Sequence, residues 1–209
     1  MVANKPPLMP VQEDKTGDPS LYRLLCAYTK HNLYPCTRID RPVSGLVIFG
    51  KNPEDQTLFQ AIQDDQKLYK EYLAIVPLCS SKEPVKLEHR LIHDAKLHKA
   101  FVSDKPEAKL ASLIYEVVLN LERYSVLKIT TSTGRFHQIR CQLAAVGLHI
   151  KGDVKYGARR ANKDRSIGLH AWKIEFPHPV TGVKIQLEAP LPSLDIWPQI
   201  NIPSSTKSS

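Results

Sequence analysis

The sequence lacks any apolar run approaching the ~20 residues that span a bilayer. Its opening, MVANKPPLMP, has no apolar stretch of signal-peptide length, so a cytoplasmic protein without membrane association is expected. Cysteine is scarce: Cys26, Cys36, Cys79 and Cys141 are scattered and form no C-x-x-C pair, which fits a reduced compartment. The nine glycines compose no G-x-G-x-x-G, no P-loop and no G-x-S-x-G, which removes the motif basis for dinucleotide, ATP and serine-hydrolase chemistry. Acidic residues are in deficit, 21 against 29 Lys and Arg, and the resulting charge of +8 suits a polyanionic partner, foremost nucleic acid.

What is present is an ordinary globular composition, 42% hydrophobic and 24% charged over 209 residues. A domain of this size buries roughly 70% of its unfolded surface, enough to need neither disulfides nor a structural metal. Residues 1–19 read as an extended entry segment. Ser20 caps a short helix with an apolar stripe of Leu21, Leu24, Leu25 and Tyr28. Leu46 to Phe49 read as a buried strand entered through Gly45. Asn52, Pro53, Glu54 and Asp55 start a second helix, with Leu58, Phe59 and Ile62 inward. KEYLAIV, residues 70–76, is apolar on both faces and reads as a central strand. Residues 77–110 are weakly patterned, with short strands and loops expected. Leu113–Leu121 and Tyr124–Thr131 form a hairpin. A third helix carries Phe136, Ile139, Leu143 and Val146 and stops at Gly147. Leu169–Phe176 and Val183–Ala189 close the chain as strands, ahead of a tail from 201 to 209 expected to be disordered. Few helices among many hairpin-linked strands give an α+β fold, with a single domain over 1–200.

Three segments carry chemistry. Asp40 lies between Arg38 and Arg41 in a turn, where positive neighbours favour the carboxylate; a surface turn with local ion pairs reads the same way. In GRFHQIR, residues 134–140, His137 and Arg140 share a helix face while Phe136, Ile139 and Leu143 point to the core. Arg135, His137 and Arg140 suit phosphates, or a carboxylate elsewhere in the fold; a solvated helix face is the plain alternative. The following stretch adds Lys151, Lys155, Tyr156, Arg159 and Arg160, a composition suited to backbone contacts. Tyr72, within the central strand, is either core or a ring against a base. His89 and His93 are four apart, but HRLIH lacks the Glu of a zinc-protease helix, so no metal is expected.

In order and spacing, these segments resemble the RluA family of RNA pseudouridine synthases. TRIDRPVSGL, residues 37–46, is similar to the family's H-R-L-D-x-x-T-S-G-L; KEYLAIV to its K-x-Y-x-A-x-V; GRFHQIR to its G-R-T-H-Q-I-R. Residues 147–157 resemble G-H-P-I-x-G-D-x-x-Y-G, and NKPPLMPV resembles N-K-P-x-G-x-x-V. Thr37, Ile39, Val43, Phe136 and Pro7 depart from the pattern, Phe136 standing where Thr is usual.

The resemblance implies a long, mixed, mostly antiparallel sheet with a central cleft, and isomerisation of uridine in tRNA or rRNA without cofactor or metal. It implies Asp40 as the catalytic carboxylate, Arg140 against it, Tyr72 beside the uracil and able to take the C5 proton, and Arg38 filling the space of the flipped nucleotide. Arg38, Arg41, Arg135, His137, Lys151, Lys155, Tyr156, Arg159 and Arg160 are expected to bind RNA, the cations among them along one side of a single cleft. A monomer is expected; the competing reading is a non-catalytic RNA-binding protein on the same scaffold.

Overall fold

The structure, a computed structural model, describes residues 1–81 and 83–202. Lys82 and residues 203–209 fall outside it, and with them most of the tail expected to be disordered. In chain order the elements are β1 (Val2–Lys5), α1 (Leu21–Thr29), β2 (Tyr34–Pro35), β3 (Ser44–Gly50), α2 (Pro53–Asp64), β4 (Tyr69–Pro77), β5 (Val85–Asp94), β6 (Lys99–Val102), β7 (Lys109–Asn120), β8 (Tyr124–Thr131), α3 (Gln138–Ala145), β9 (Leu169–Pro177) and β10 (Lys184–Glu188), with 3-10 turns at Val154–Tyr156 and Trp197–Gln199.

All ten strands join one sheet in the order β1-β3-β9-β4-β8-β7-β5-β6, with β10 added to β9 and β2 to β3. Among the described residues only the β3–β9 pairing is parallel. It is made where the two strands come closest, at Gly45. With φ of +115°, Gly45 packs so near Ala171 that a Cβ would lie 2.2 Å from its carbonyl oxygen, so no other residue fits without moving β9.

β4 lies mid-sheet between β8 and β9 and is buried on both faces. Leu73 and Ile75 pack with Val126, Trp172 and Trp197 on one side. Ala74 and Val76 pack with Leu127, Ile129, Ile139 and Leu143 of β8 and α3 on the other. The strand period of two therefore puts Lys70 and Tyr72 on the α3 side, at the end of this second layer.

The expected caps are present: Ser20 Oγ accepts from the Arg23 amide at 3.0 Å, and Asn52 Oδ1 from the Asp55 amide at 2.7 Å. Four expectations are corrected. The buried face of α1 is Leu21, Tyr22, Leu25 and Cys26, whereas Tyr28 is 82% exposed; a nine-residue helix on a sheet edge needs only a narrow apolar face. Leu58 is exposed while Phe59 and Ile62 are buried. Residues 77–110 hold the ten-residue strand β5, whose two buried residues, Leu87 and Leu91, are separated by Glu88, His89 and Arg90. Phe136 precedes α3 instead of belonging to it, and lies outside the core.

Candidate active site

Asp40 sits in the loop between β2 and β3, fixed from several directions. The Val43 amide donates to the Asp40 carbonyl at 3.0 Å, closing a turn. The Arg41 carbonyl accepts from Lys5 Nζ at 3.1 Å. Lys5 is fully buried and spends its other two protons on the carbonyls of Pro6 and Met9. Burial pulls its pKa down to about 7, against the pull of the Asp40 charge.

α3 supplies the counter-charge. Its start is built by Gln138, whose Oε1 accepts from the Arg135 amide at 3.0 Å and from the Thr133 hydroxyl at 2.8 Å. One turn in, Arg140 is buried with its side chain 6% exposed. Its Nη1 donates to Asp40 Oδ2 at 3.0 Å, while Nε and Nη2 donate to the two oxygens of Asp153 at 2.7 and 2.8 Å. Burial opposes the guanidinium's charge, but Asp153 and Asp40 outweigh it and raise its pKa. A bidentate fork of this kind fixes the guanidinium plane, so the third donor meets Asp40 at a set angle.

Behind this pair stand His137 and Tyr156. The Tyr156 hydroxyl accepts from the Ala100 amide at 2.7 Å and lies 3.0 Å from His137 Nδ1. The other ring nitrogen of His137, Nε2, lies 3.6 Å from Asp40 Oδ2. Burial, with Arg140 and Lys155, pushes the His137 pKa down to about 3, so this contact is to a neutral ring and is no ion pair. Phe136 stacks on His137 at 3.9 Å between centroids, and His93 on Phe136 at 4.0 Å.

The carboxylate looks into a pit of about 110 Å³ whose walls include Arg38, Lys70, Tyr72, Arg135 and Arg140. A groove of about 810 Å³, lined by Arg41, His98, Phe136 and Lys155 among others, also reaches Asp40. Burial, and then the Asp40 charge, raise the Tyr72 pKa, so its phenol holds its proton. Burial lowers that of Lys70.

The structure thus gathers Arg38, Asp40, Tyr72, Arg135, His137 and Arg140 from three separate segments. It places other expected residues differently. Tyr156 is 5% exposed and lies under Arg140 rather than on a binding surface. Arg41 is held by Asp14 and Asp18, and Lys155 donates to the His98 carbonyl at 3.0 Å. Lys151, Arg159 and Arg160 are not in this cleft at all: they line a separate hollow of about 900 Å³ with Pro77 and Tyr124. The expected single cleft is therefore two basic regions, one at the Tyr72 end of β4 and one at its Pro77 end, where the Lys151 amide donates to the Ile75 carbonyl at 2.8 Å. His89 and His93 lie on β5, where a spacing of four extends along the strand instead of closing one helical turn. Among the described residues no cluster of His, Cys, Asp or Glu is arranged to hold a metal ion, and no helix is long and apolar enough to cross a membrane.

Sequence reasoning assigned nothing to Asp153, Lys5 or Lys70. Each stands inside a motif already read (G-D-x-x-Y-G, N-K-P and K-x-Y), and Lys70 had a further signal, its place two residues from Tyr72 on the same strand face.

Comparison with known proteins agrees with this geometry. The RNA pseudouridylate synthase family profile matches residues 1–145. A tRNA pseudouridine synthase C of Vibrio parahaemolyticus is 28% identical over 96% of this chain and 89% of its own length. One of Haemophilus ducreyi is 31% identical over 76% and 72%. A ribosomal large subunit pseudouridine synthase D of Haemophilus influenzae is 28% identical over 74% of this chain and 51% of its own. The solved structure of human RNA pseudouridylate synthase domain containing 1 superposes with a TM-score of 0.77 at 20% identity, covering 92% of this chain and 80% of that one, and shares the fold. The chain belongs to the RNA pseudouridine synthases, isomerases that act on RNA, and within them to the RluA family.

Proposed function

We propose that this chain converts uridine to pseudouridine in tRNA or rRNA with Asp40 as the catalytic carboxylate, Arg140 as the group that holds it charged and oriented, and Tyr72 as the ring against which the uracil packs. The observation that carries this reading is the 3.0 Å contact from Arg140 to Asp40, backed by buried Asp153, at the mouth of a pit. The overall change is balanced within the nucleotide: the bond from C1′ to N1 breaks, one from C1′ to C5 forms, the C5 proton leaves and N1 gains one. Asp40 either attacks the sugar or takes its 2′ proton; both need an ionised carboxylate held at the base–sugar junction, which is what the Arg140 fork provides. A phenol kept protonated by burial is suited to packing on the base and is a poor proton acceptor from C5. Arg38 is exposed and has no partner among the described residues, so it is free to enter the stack as the nucleotide flips out, a step costing a few kcal/mol.

Residues 1–200 act as one catalytic domain in this reading, monomeric and cytoplasmic, using no cofactor. A non-catalytic RNA-binding role is disfavoured by the cost of burying Arg140 and Asp153 merely to hold one more carboxylate, since phosphate binding needs none.

Release of tritium from 5-labelled uridine in unfractionated tRNA and in rRNA tests the proposal. Wild-type protein should release tritium from one of them. Asp40→Asn should release none while binding the same RNA within a few-fold. Near-normal release by a folded Asp40→Asn variant overturns the assignment.

A further inference from the structure

The hollow at the Pro77 end of β4 takes no part in the chemistry above. It is lined by Tyr124, Lys151, Arg159, Arg160 and Lys163, together with Asp164 and Asp195. Both acids are engaged: Asp195 pairs with Lys151 at 2.5 Å, and Asp164 accepts from the Ser166 amide and hydroxyl at 3.0 and 2.7 Å. Arg159, Arg160 and Lys163 are exposed, with no acidic partner among the described residues. A loop that concentrates three unpaired cations around a concave wall stores repulsion that an anion relieves. A cavity of about 900 Å³ is far larger than a lone phosphate needs, and a Tyr beside cations is the usual pairing for single-stranded nucleic acid, ring for base and cation for backbone.

Its position matters as much as its charge. Tyr72 lines the pit and Pro77 the hollow, five residues apart on one strand, hence about 17 Å. We infer that this hollow is a second docking site for the RNA, gripping the sugar-phosphate backbone of a single-stranded flank while the pit holds the target uridine. This rests on the proposed function only for what occupies the pit.

The test is filter binding of oligouridylates of about two nucleotides, enough for the pit and too short to bridge to the hollow, and about sixteen, enough for both regions, across a salt series. For the long RNA, Arg159→Ala/Arg160→Ala/Lys163→Ala should reduce the slope of log affinity against log salt by about 2, at roughly 0.7 per lost phosphate contact. Affinity for it should fall tenfold or more, while the short RNA serves as the reference that does not reach the hollow. Arg159→Lys/Arg160→Lys should retain the slope, since a point charge suffices for phosphate. The single changes Arg159→Ala and Lys163→Ala, each worth about 0.7 in slope, carry the test if the triple variant does not fold. An unchanged slope overturns the inference, as does an equal loss on both lengths in variants of wild-type Tm. Because the readout is binding, absence of tritium release from wild-type protein would reject the proposed reaction and leave this result standing, and the converse holds.

Discussion

Arg140 and Arg159 present the same guanidinium in opposite settings. Arg140 is dry, satisfied by two carboxylates and locked in plane; Arg159 is exposed, with no acidic partner among the described residues. The first costs folding free energy to install and yields orientation. The second costs almost nothing and yields attraction at a distance. A protein acting on a polyanion needs both kinds, and this one keeps them at two ends of a strand.

That contrast can be broken most severely at Asp153. Asp153→Ala leaves a buried guanidinium with one partner instead of two, so a loss on the order of 3–5 kcal/mol is expected, read as a drop in the urea midpoint, together with loss of isomerisation through a disoriented Asp40. Arg140→Ala should be similarly severe. Arg135→Ala and Arg159→Ala, both at exposed positions, should stay within about 0.5 kcal/mol of wild type. Equal, mild effects at all four positions would show that burial makes no difference to these charges.

Acid should act next, on buried groups alone. His170 is 1% exposed, its Nδ1 2.8 Å from the Ser44 hydroxyl where β3 meets β9. Burial lowers its pKa to about 4 from 6.5, and that of His137 to about 3. In this window the unfolded chain binds the proton first, so stability is complete above pH 6.5 and falls as pH drops through the folded values. The His170 share is at most about 3 kcal/mol at 1.36 per pKa unit. Unfolding free energies measured from pH 7 to pH 4 should fall less steeply in His170→Gln than in wild type. Parallel profiles would remove His170 as the cause.

The smallest expected effect lies at the ring stack. Phe136→Thr removes a partly exposed ring from between His137 and His93, worth about 0.5–1.5 kcal/mol beyond area burial. It should lower kcat/KM several-fold by loosening His137 while leaving Tm within a few degrees. Unaltered kcat/KM would make the stack incidental to Asp40.

What was legible in advance followed the local rules. Ser20 and Asn52 announce caps because a side-chain oxygen reaches an amide three residues on, with no tertiary help. KEYLAIV announces a central strand because burial on both faces leaves no polar alternation. The partnership of Asp40 with Arg140 spans 100 residues and came from motif resemblance, not from spacing. Asp153 stayed silent, since one Asp in a Gly-rich turn looks like any turn former until a guanidinium is seen inside it. Phe136 was misread because periodicity counts an aromatic one turn early as part of the helix, whereas His137 at φ of +50° breaks the path there. The merging of two basic regions into one had another root: charge and strand are both visible along a sequence, but which end of the strand a distant loop returns to is not.

The placement of both regions on β4 has a consequence for how such a protein can change. The strand is sealed above and below, Leu73 and Ile75 into one layer, Ala74 and Val76 into the other. One residue added between Tyr72 and Pro77 would turn Tyr72 away from Asp40 and invert both layers. Two added residues preserve every facing. The distance between the base pit and the flank grip can therefore be retuned only in steps of about 6.7 Å, so β4 behaves as a gauge with coarse graduations, and substrates whose target and flank fall between two marks must themselves bend.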